Sequence, residues 1–397
     1  MIFDAIVVGS GPAGATVASL LSQAGWSVAI VEKKTFPRRK VCGEFISATS
    51  LPLLERLGIA DFYLTHSGPE IRRVGFFAAD ALLSSVMPPV DRSVNHWGRA
   101  LGREHLDSAL LNIAVHAGAK LWQPWNVKAV QRNGDLFTCA ITSGDNIEKI
   151  SARTIIMAHG SWERSIVEPH ITYPHKKSDL LAFKAHFKHS DLATDLMPLL
   201  AFPGGYGGMV HTDNGRITLS CCIRRDVLQN IRQQYPGLSA AETVLKHIQL
   251  SCLGVRQALK HAERDGEWLA VGPIRPGIRK CYTDGIFFVG NTVGEAHPIV
   301  AEGISMAMQS AWLLSQNLLT HQNKILAAKN YTQQWHANFA KRIYAASLFA
   351  QFAMRPSAVA LLLPILKKFP GLLTFGAKLS GKTTSIESIS IEKESAI

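Results

Sequence analysis

The residues best suited to chemistry stand near the start of the chain. Gly9, Gly11 and Gly14 form a Gly-x-Gly-x-x-Gly turn directly after an apolar run of strand type. Gly9 allows a tight turn, Gly11 lets the backbone approach a pyrophosphate, and Gly14 lets helix and strand pack closely. Pro12 and Ala13 open the following helix, whose N-terminal N–H groups and partial positive charge suit phosphate oxygens. This spacing predicts a dinucleotide site.

The end of the next apolar run supplies an acid. Glu32 lies 18 residues after Gly14, where a carboxylate can accept hydrogen bonds from ribose hydroxyls, and Lys33 beside it is a further candidate contact. Because an acid disfavours a 2′-phosphate, the ligand is expected to be FAD or NAD rather than NADP. A strand–helix–strand unit with a purely structural role is the alternative.

A second glycine turn, at residues 290–294, follows another buried apolar run. Asn291 in this turn and Pro298 after it can lie beside a flavin, with the asparagine on the ribityl chain. Gly303 and Ile304 open the next helix, whose N-terminus can stabilise negative charge that develops on a flavin during reduction. The alternative is an ordinary turn between strand and helix. Together with the first motif, the pattern favours FAD.

Two arginines lie at the start of the helix predicted over residues 102–117. Arg99 and Arg103 can pair with a pyrophosphate there, or they can be solvated surface residues. Lys128 and Gly160 complete this set of candidate cofactor contacts.

The composition limits the class of protein. The 397 residues are 47% hydrophobic and 18% charged, which predicts a sizeable core and two domains or one domain with an insertion. The formal charge of +12 suits nucleic acid, an anionic membrane or anionic ligands. No basic run is interleaved with aromatics, so no nucleic acid is expected. The six cysteines form no Cys-x-x-Cys pair and the histidines show no ligand spacing, so we expect reduced thiols, a cytoplasmic setting and no metal.

The remaining segments indicate an α/β fold. Residues 204–211 and 216–223 flank Asp-Asn-Gly, a strong hairpin signal, and residues 179–188 alternate like a half-exposed strand. Further helices are predicted at 238–262, 301–319 and 324–352. We expect a Rossmann-type FAD-binding domain, an inserted antiparallel α+β substrate domain and a helical C-terminal region. The boundaries are 1–169 for the first part of the FAD-binding domain (with strands 71–94 joining the substrate domain), 170–272 for the substrate domain, 273–340 for the second FAD-binding part, 341–382 for the C-terminal helices and 383–397 for a disordered tail.

These segments resemble the flavoprotein monooxygenases of the para-hydroxybenzoate hydroxylase fold and the geranylgeranyl reductase branch of that superfamily. The shared motifs are the first glycine turn, the helix start Arg103-x3-Asp107-x2-Leu110 and the second glycine turn with its proline. Residues 40–47 (Lys-Val-Cys-Gly-Glu-Phe-Ile-Ser) are similar to a Cys-Gly loop of the reductase branch, and residues 205–208 (Gly-Tyr-Gly-Gly) to its Gly-Tyr segment beside the substrate cavity. Over about residues 1–340, the resemblance implies FAD and this fold.

The chain departs from the family pattern at two places. Family members usually have Asp at Asn291, where an amide can still hydrogen-bond the ribityl chain. The monooxygenases usually carry Asp-Gly where this chain has His159-Gly160, a motif that helps handle NADH or NADPH. The electron donor is therefore either a nicotinamide or an electron-carrier protein. His159 itself is expected to be a structural loop residue.

The resemblance makes Cys42 and Tyr206 the candidate catalytic residues, with Cys42 and Gly43 also candidate flavin contacts. Cys42 is either a redox-active thiol or a small residue that shapes the cavity. Tyr206 either lines the cavity and donates a proton or is an ordinary strand tyrosine.

The first expectation for the reaction is monooxygenation of an apolar small molecule of aromatic, polyketide-like or lipid-like type. The alternative is reduction of carbon–carbon double bonds in a prenyl-type chain, and a flavin-bound interaction or membrane-surface protein is the non-enzymatic option. Residues 341–382 mix apolar residues with lysine and arginine. They predict either peripheral contact with the inner face of a membrane or a helical cap over the substrate domain.

Overall fold

The structure is a computed structural model that describes residues 2–90, 94–161 and 174–382. The strands of these residues are, in chain order, β1 (Ile2–Val8), β2 (Val28–Val31), β3 (Phe45–Ile46), β4 (Arg73–Ala78), β5 (Ala81–Val86), β6 (Arg99–Ala100), β7 (Lys120–Trp122), β8 (Asn126–Asn133), β9 (Leu136–Ser143), β10 (Asn146–Met157), β11 (Leu180–Lys188), β12 (Leu196–Phe202), β13 (Gly205–His211), β14 (Ile217–Arg224), β15 (Glu263–Arg264), β16 (Leu269–Ile274), β17 (Gly277–Ile278), β18 (Tyr282–Thr283), β19 (Ile286–Phe288) and β20 (Gly294–Glu295).

The helices of the same residues are α1 (Pro12–Gln23), α2 (Leu51–Leu57), α3 (Ala60–His66), α4 (Arg103–His116), α5 (Arg225–Gln234), α6 (Ala240–Ser251), α7 (Leu253–Ala258), α8 (Gly303–Thr320), α9 (Lys324–Ala353), α10 (Pro356–Lys368) and α11 (Gly371–Leu379). The helix predicted over 102–117 is α4, and the ones predicted from 301 and 324 are α8 and α9. Two short helices, α3 and α5, were not predicted.

The first sheet carries the nucleotide-type unit. Five strands run parallel in the order β7-β2-β1-β10-β19, and β18 pairs antiparallel with β19. The long strand β10 also pairs antiparallel with β9, and β9 with β8, on a branch from the sheet. The predicted order of strand, glycine turn, helix and strand is confirmed as β1-α1-β2.

Steric crowding fixes the first glycine turn. Gly9 has φ +97°, a conformation that favours glycine, and a Cβ on Gly14 would overlap the carbonyl oxygen of Gly9. Gly11 precedes α1 as its N-cap, and Pro12 occupies the first helical turn, where the missing N–H has no helical acceptor in any case.

The second sheet has the order β15-β11-β14-β13-β12-β4-β5, with β16 also on β11. The predicted hairpin is confirmed, because β13 and β14 pair antiparallel on either side of Asp213–Gly215. Strands β4 and β5, from the stretch 71–94 that was predicted to join the substrate domain, attach to this sheet through the parallel pair β4–β12. The α/β class is confirmed, and the division into domains stays a prediction.

The prediction of a half-exposed strand at 179–188 is wrong. Phe183, Ala185 and Phe187 on one face of β11 belong to a core that includes residues of α5, α6 and α7. Ala182, Lys184 and His186 on the other face are buried as well. The alternation of polar and apolar residues therefore reflects two buried faces of different chemistry rather than one wet face.

The last three helices cover another part of the second sheet. Buried residues of α9, α10 and α11, such as Ala350, Leu366 and Leu373, share one apolar cluster with Ala182 and Met197. Among the described residues no single helix is long and apolar enough to cross a membrane; α9 and α10, which meet at a bend of 103°, satisfy that criterion only when taken as a pair. The tail predicted to be disordered, 383–397, lies outside the described residues.

Candidate active site

A cavity of about 510 Å³ is lined by residues of both sheets. Its walls come from the first glycine turn, from the loop 38–45, from strands β12 to β14 and from the segment that leads into α8. Most candidate residues of the sequence line it, namely Gly9, Gly11, Pro12, Ala13, Glu32, Lys33, Cys42, Gly43, Arg103, Gly160, Tyr206, Asn291, Pro298, Gly303 and Ile304. Both glycine turns therefore border the same cavity.

Three candidates do not line the cavity. Gly14 acts through its close packing on Gly9 instead. Arg99 lies on β6 with its guanidinium 3.5 Å from Glu70, and it does not line the cavity. Val127, the neighbour of Lys128 on β8, faces the cavity. Because successive side chains of a strand point to opposite sides, Lys128 points away from the cavity and is exposed.

The end of the cavity near Gly11 is shaped for a diphosphate. A Cβ placed on Gly11 would have only Arg103 Nη2 nearby, at 3.7 Å, so this backbone borders open space. Asp107 holds Arg103 with two hydrogen bonds of 2.7 Å, from Nε and Nη2. Both residues are buried, so the guanidinium has a fixed position beside the glycine turn.

Positive charge is concentrated at this end. Burial, together with the neighbouring positive charges of Arg103 and Arg38, lowers the pKa of Lys40 to about 8. Cations that crowd one another in this way are stabilised by a bound anion. The open backbone and the crowded cations fit the pyrophosphate of FAD.

Glu32 is held in a fixed orientation beside the same end. Its carboxylate accepts hydrogen bonds from Ser10 N at 2.9 Å, Ser10 Oγ at 3.1 Å and Lys34 N at 2.8 Å. It is almost fully buried yet borders the cavity, as a ribose-binding acid must.

The second glycine turn lies at the other side of the cofactor end. Asn291 Nδ2 donates to Glu295 Oε1 at 3.2 Å, which orients the amide at the cavity wall. The segment continues through Pro298 to Gly303 at the N-terminus of α8, whose partial positive charge faces the cavity. Lys382 approaches this turn from the end of the described chain, with Nζ 2.8 Å from Glu302 Oε1 and 2.6 Å from Val300 O.

A buried charge cluster, which the sequence did not reveal, joins the Cys42 loop to the second sheet. The carboxylate of Glu44 contacts Lys184 Nζ, lies 2.8 Å from His186 Nε2 and accepts a hydrogen bond from Thr218. Burial alone would raise the pKa of Glu44, but Lys184 and His186 outweigh it and hold that pKa well below its usual range. Glu44 N also donates to Cys42 Sγ at 3.4 Å, so the cluster positions the cysteine loop.

The other end of the cavity holds a buried tyrosine–histidine pair. Tyr206 Oη lies 3.0 Å from His297 Nδ1. Burial raises the pKa of Tyr206 well above its usual value and lowers the pKa of His297 to about 4. Both side chains are therefore uncharged near neutral pH. The sequence pointed to Tyr206 and missed His297, although His297 directly precedes the candidate Pro298.

The surroundings of this pair are apolar. The walls there are formed by Phe45, Met197, Leu199, Ile274 and Ile299, which belong to or pack on one apolar cluster. Such walls exclude water and bind hydrocarbon, so this end suits an apolar substrate while the opposite end suits a charged cofactor.

Curated relatives match the chain over most of its length. Menaquinone reductase of Mycobacterium tuberculosis is 21% identical over 98% of this chain and 90% of its own. Digeranylgeranylglycerophospholipid reductase 2 of Methanopyrus kandleri is 26% identical over 86% of this chain and 84% of its own. Conditioned medium factor receptor 1 of Dictyostelium discoideum is 25% identical over 85% of this chain and 68% of its own. A shorter match is the rifampicin monooxygenase of Rhodococcus hoagii, 26% identical over 36% of this chain and 29% of its own.

Solved structures share the fold. A flavoprotein/dehydrogenase from Cytophaga hutchinsonii has a TM-score of 0.78 at 20% identity, covering 96% of this chain and 92% of its own. A flavin-dependent brominase has a TM-score of 0.75 at 18% identity, and the match covers 96% of this chain and 94% of the brominase. At these identities the likeness concerns the fold.

The expectation of an FAD enzyme with the para-hydroxybenzoate hydroxylase type of fold is confirmed by these relatives and neighbours. The protein is an FAD-dependent oxidoreductase, and its cofactor is FAD. A family model described as "FAD binding domain" matches residues 3–324, which include both glycine turns, and the chain therefore belongs to this family.

Proposed function

We propose that the protein is an FAD-dependent reductase that saturates carbon–carbon double bonds in a prenyl-type lipid chain. The observation that carries this proposal is the pair Tyr206–His297, a buried proton donor in an apolar cavity that also contains the cofactor-binding turns. Saturating a double bond requires one hydride and one proton, and a water-excluding cavity must deliver the proton from a side chain.

The relatives support the same reaction class. Those named as reductases of menaquinone and of digeranylgeranylglycerophospholipid align with 98% and 86% of this chain, including its substrate end. The rifampicin monooxygenase aligns with 36% of it. A prenyl chain also fits apolar walls built by Met197, Ile274 and Ile299.

The roles of the side chains follow from their positions. Held between the two glycine turns, FAD in its reduced form would supply a hydride for one carbon of the double bond. Tyr206 gives its Oη proton to the other carbon, and His297, held 3.0 Å from that oxygen, orients the hydroxyl and relays a replacement proton. Cys42, in the loop fixed by Glu44, is the second catalytic residue that we propose, as a group in contact with the flavin and substrate.

The electron donor is a separate proposal. Because His159-Gly160 replaces the Asp-Gly motif that helps the related monooxygenases handle a nicotinamide, we propose that an electron-carrier protein reduces the flavin. Adding NADH or NADPH anaerobically and watching the flavin absorbance tests this, and rapid bleaching by either compound would contradict it.

The reaction itself is tested without oxygen. The purified protein, reduced with dithionite under anaerobic conditions, is given menaquinone or a geranylgeranyl-bearing phospholipid, and the product is examined by mass spectrometry. We expect two added hydrogens for each double bond reduced. A product that forms only with O₂ and contains an added oxygen atom would refute the reductase.

Monooxygenation, the first expectation from the sequence, is the second candidate. It is favoured by the match to rifampicin monooxygenase over 36% of the chain. The same anaerobic experiment separates the two reactions, since a monooxygenase makes no product without O₂.

Tyr206→Phe is expected to lower the rate of double-bond reduction by about 10²- to 10⁴-fold, the usual contribution of a positioned acid. The ring and its packing remain, so FAD content should not change. The matched control is Tyr331→Phe, which removes a buried hydroxyl that donates to Phe288 O at 2.8 Å away from the cavity. Single-turnover oxidation of the reduced flavin by substrate measures the effect, and equal rates in both variants would remove Tyr206 from the mechanism.

A further inference from the structure

The three C-terminal helices present apolar side chains to solvent. On α9, Tyr344, Leu348 and Phe352 recur every fourth residue and are exposed, Tyr344 by 68%. Every fourth residue lies on the same side of a helix, so the three form one stripe. Exposed apolar residues are found on the next two helices as well.

Helices α10 and α11 are apolar on both sides. Val359 and Leu366 of α10, and Leu373 and Ala377 of α11, are buried in the cluster beneath them. Exposed apolar residues lie on their opposite sides and, in the case of Phe369, between the two helices; these residues are Leu361, Ile365, Phe369, Leu372, Phe375 and Leu379, with Leu361 exposed by 76%. We call these six residues and the stripe on α9 the C-terminal apolar surface. A helix with one apolar face packed and another uncovered needs a second apolar environment.

The same helices are strongly basic. Residues 303–382 contain nine lysines and arginines and no aspartate or glutamate. Five of the nine are exposed around the C-terminal apolar surface, namely Lys341, Arg355, Lys367, Lys368 and Lys378. Exposed apolar groups bordered by cations are complementary to a lipid bilayer with anionic headgroups.

We propose that the C-terminal apolar surface docks onto an anionic lipid bilayer, with its apolar side chains in the boundary between headgroups and acyl chains. Symmetric contact with a second copy of the chain would set two such basic surfaces against each other, because each residue in a two-fold contact meets the same patch. The bilayer instead offers apolar depth and opposite charge together. Docking needs no helix to cross the membrane.

The helices that carry this surface pack on the same apolar cluster as the substrate end of the cavity. Met197, Tyr206 and Ile299, which line the cavity, belong to the same apolar cluster as the inner faces of α9, α10 and α11. An apolar substrate would therefore have an apolar route from the bilayer to the cavity through this shared cluster. That last step alone rests on the proposed function, whereas docking itself does not.

The test is flotation of the FAD-loaded, full-length protein with vesicles of phosphatidylcholine, with and without phosphatidylglycerol. We expect binding to the anionic vesicles and its loss in the double variant Leu361→Glu/Phe375→Glu. The matched control is Ile147→Glu, which places the same charge on a 72% exposed apolar residue of the first sheet. Flavin absorbance and thermal melting confirm that each variant is folded.

The charge component is tested separately. Lys367→Gln/Lys368→Gln should weaken binding to anionic vesicles by about 30-fold, since each lysine near such a surface contributes about fivefold. Lys149→Gln, an exposed lysine of β10, is the control. Failure of the parent protein to float, or equal flotation of the parent and the glutamate variants, would overturn the proposal.

Light scattering supplies a further outcome against the proposal. A lipid-free dimer that Leu361→Glu/Phe375→Glu converts to a monomer, without vesicle binding, would make the surface a subunit interface. None of these readouts uses enzymatic activity, so they are independent of the proposed reaction.

Discussion

Gly11→Val is expected to give a folded protein that retains no FAD. The Cβ of this residue would project toward the place of the pyrophosphate, with only Arg103 Nη2 within 4 Å. The protein itself therefore loses no contact, whereas the cofactor meets a branched side chain at its most highly charged part. Forcing extra carbon atoms into a fitted space costs about 1–3 kcal/mol, and the pyrophosphate also loses its approach to the backbone. We expect FAD to bind about 100-fold more weakly or worse.

The measurement is flavin content per polypeptide, followed by calorimetric titration of the apoprotein with FAD. Gly371→Val is the matched control, because that glycine also faces open space but lies in α11 outside the cavity. A Gly11→Val protein as yellow as the control would show that the first glycine turn does not hold the cofactor.

Glu44→Ala is expected to lower the free energy of unfolding by about 3–5 kcal/mol, the usual cost of removing one partner from a buried ion pair. The substitution leaves Lys184 and His186 inside the protein without their shared acceptor. Glu44→Gln should cost less, since the amide can still hydrogen-bond. Urea unfolding measures both, with Glu267→Ala at an exposed site as the control. A cost below about 1 kcal/mol would mean that the cluster contributes no net stability.

The same carboxylate predicts a pH dependence. The pKa of Glu44 is well below its usual range in the folded protein, so the folded state keeps the charge where the unfolded chain takes up a proton. Its stabilisation is therefore complete above the unfolded pKa of about 4.3 and is lost as the pH falls toward the lower, folded value. The stability difference between the parent protein and Glu44→Gln should accordingly be constant at neutral pH and shrink below about pH 4.

The cofactor end was predictable because its signals are local. A glycine turn, its strand and its helix are contiguous in the chain, and each glycine has a steric reason that the sequence already implies. The charge cluster was not predictable in this way. Glu44 meets Lys184, His186 and Thr218 from two strands more than a hundred residues away, and only the packing of two sheets brings them together.

Other errors have similar causes. The strand β11 reads as half exposed because Lys184 and His186 are polar, but their partner is a buried carboxylate rather than water. Arg99 is close in sequence to Arg103, yet one residue lies on a strand and the other on a helix, so their side chains diverge. His297 was not predicted because a single histidine forms no sequence motif. Its role becomes apparent only when the structure places it beside Tyr206.

Lys382 links the end of the described chain to the segment that leads into α8. This residue closes the C-terminal helical cap, and its ammonium group neutralises Glu302, the carboxylate immediately ahead of Gly303. A negative charge left alone there would oppose the build-up of electron density on a reduced flavin. One ion pair thus joins the end of the described chain to the start of α8, and we expect that loosening this end would leave the Glu302 charge uncompensated and make the coenzyme harder to reduce.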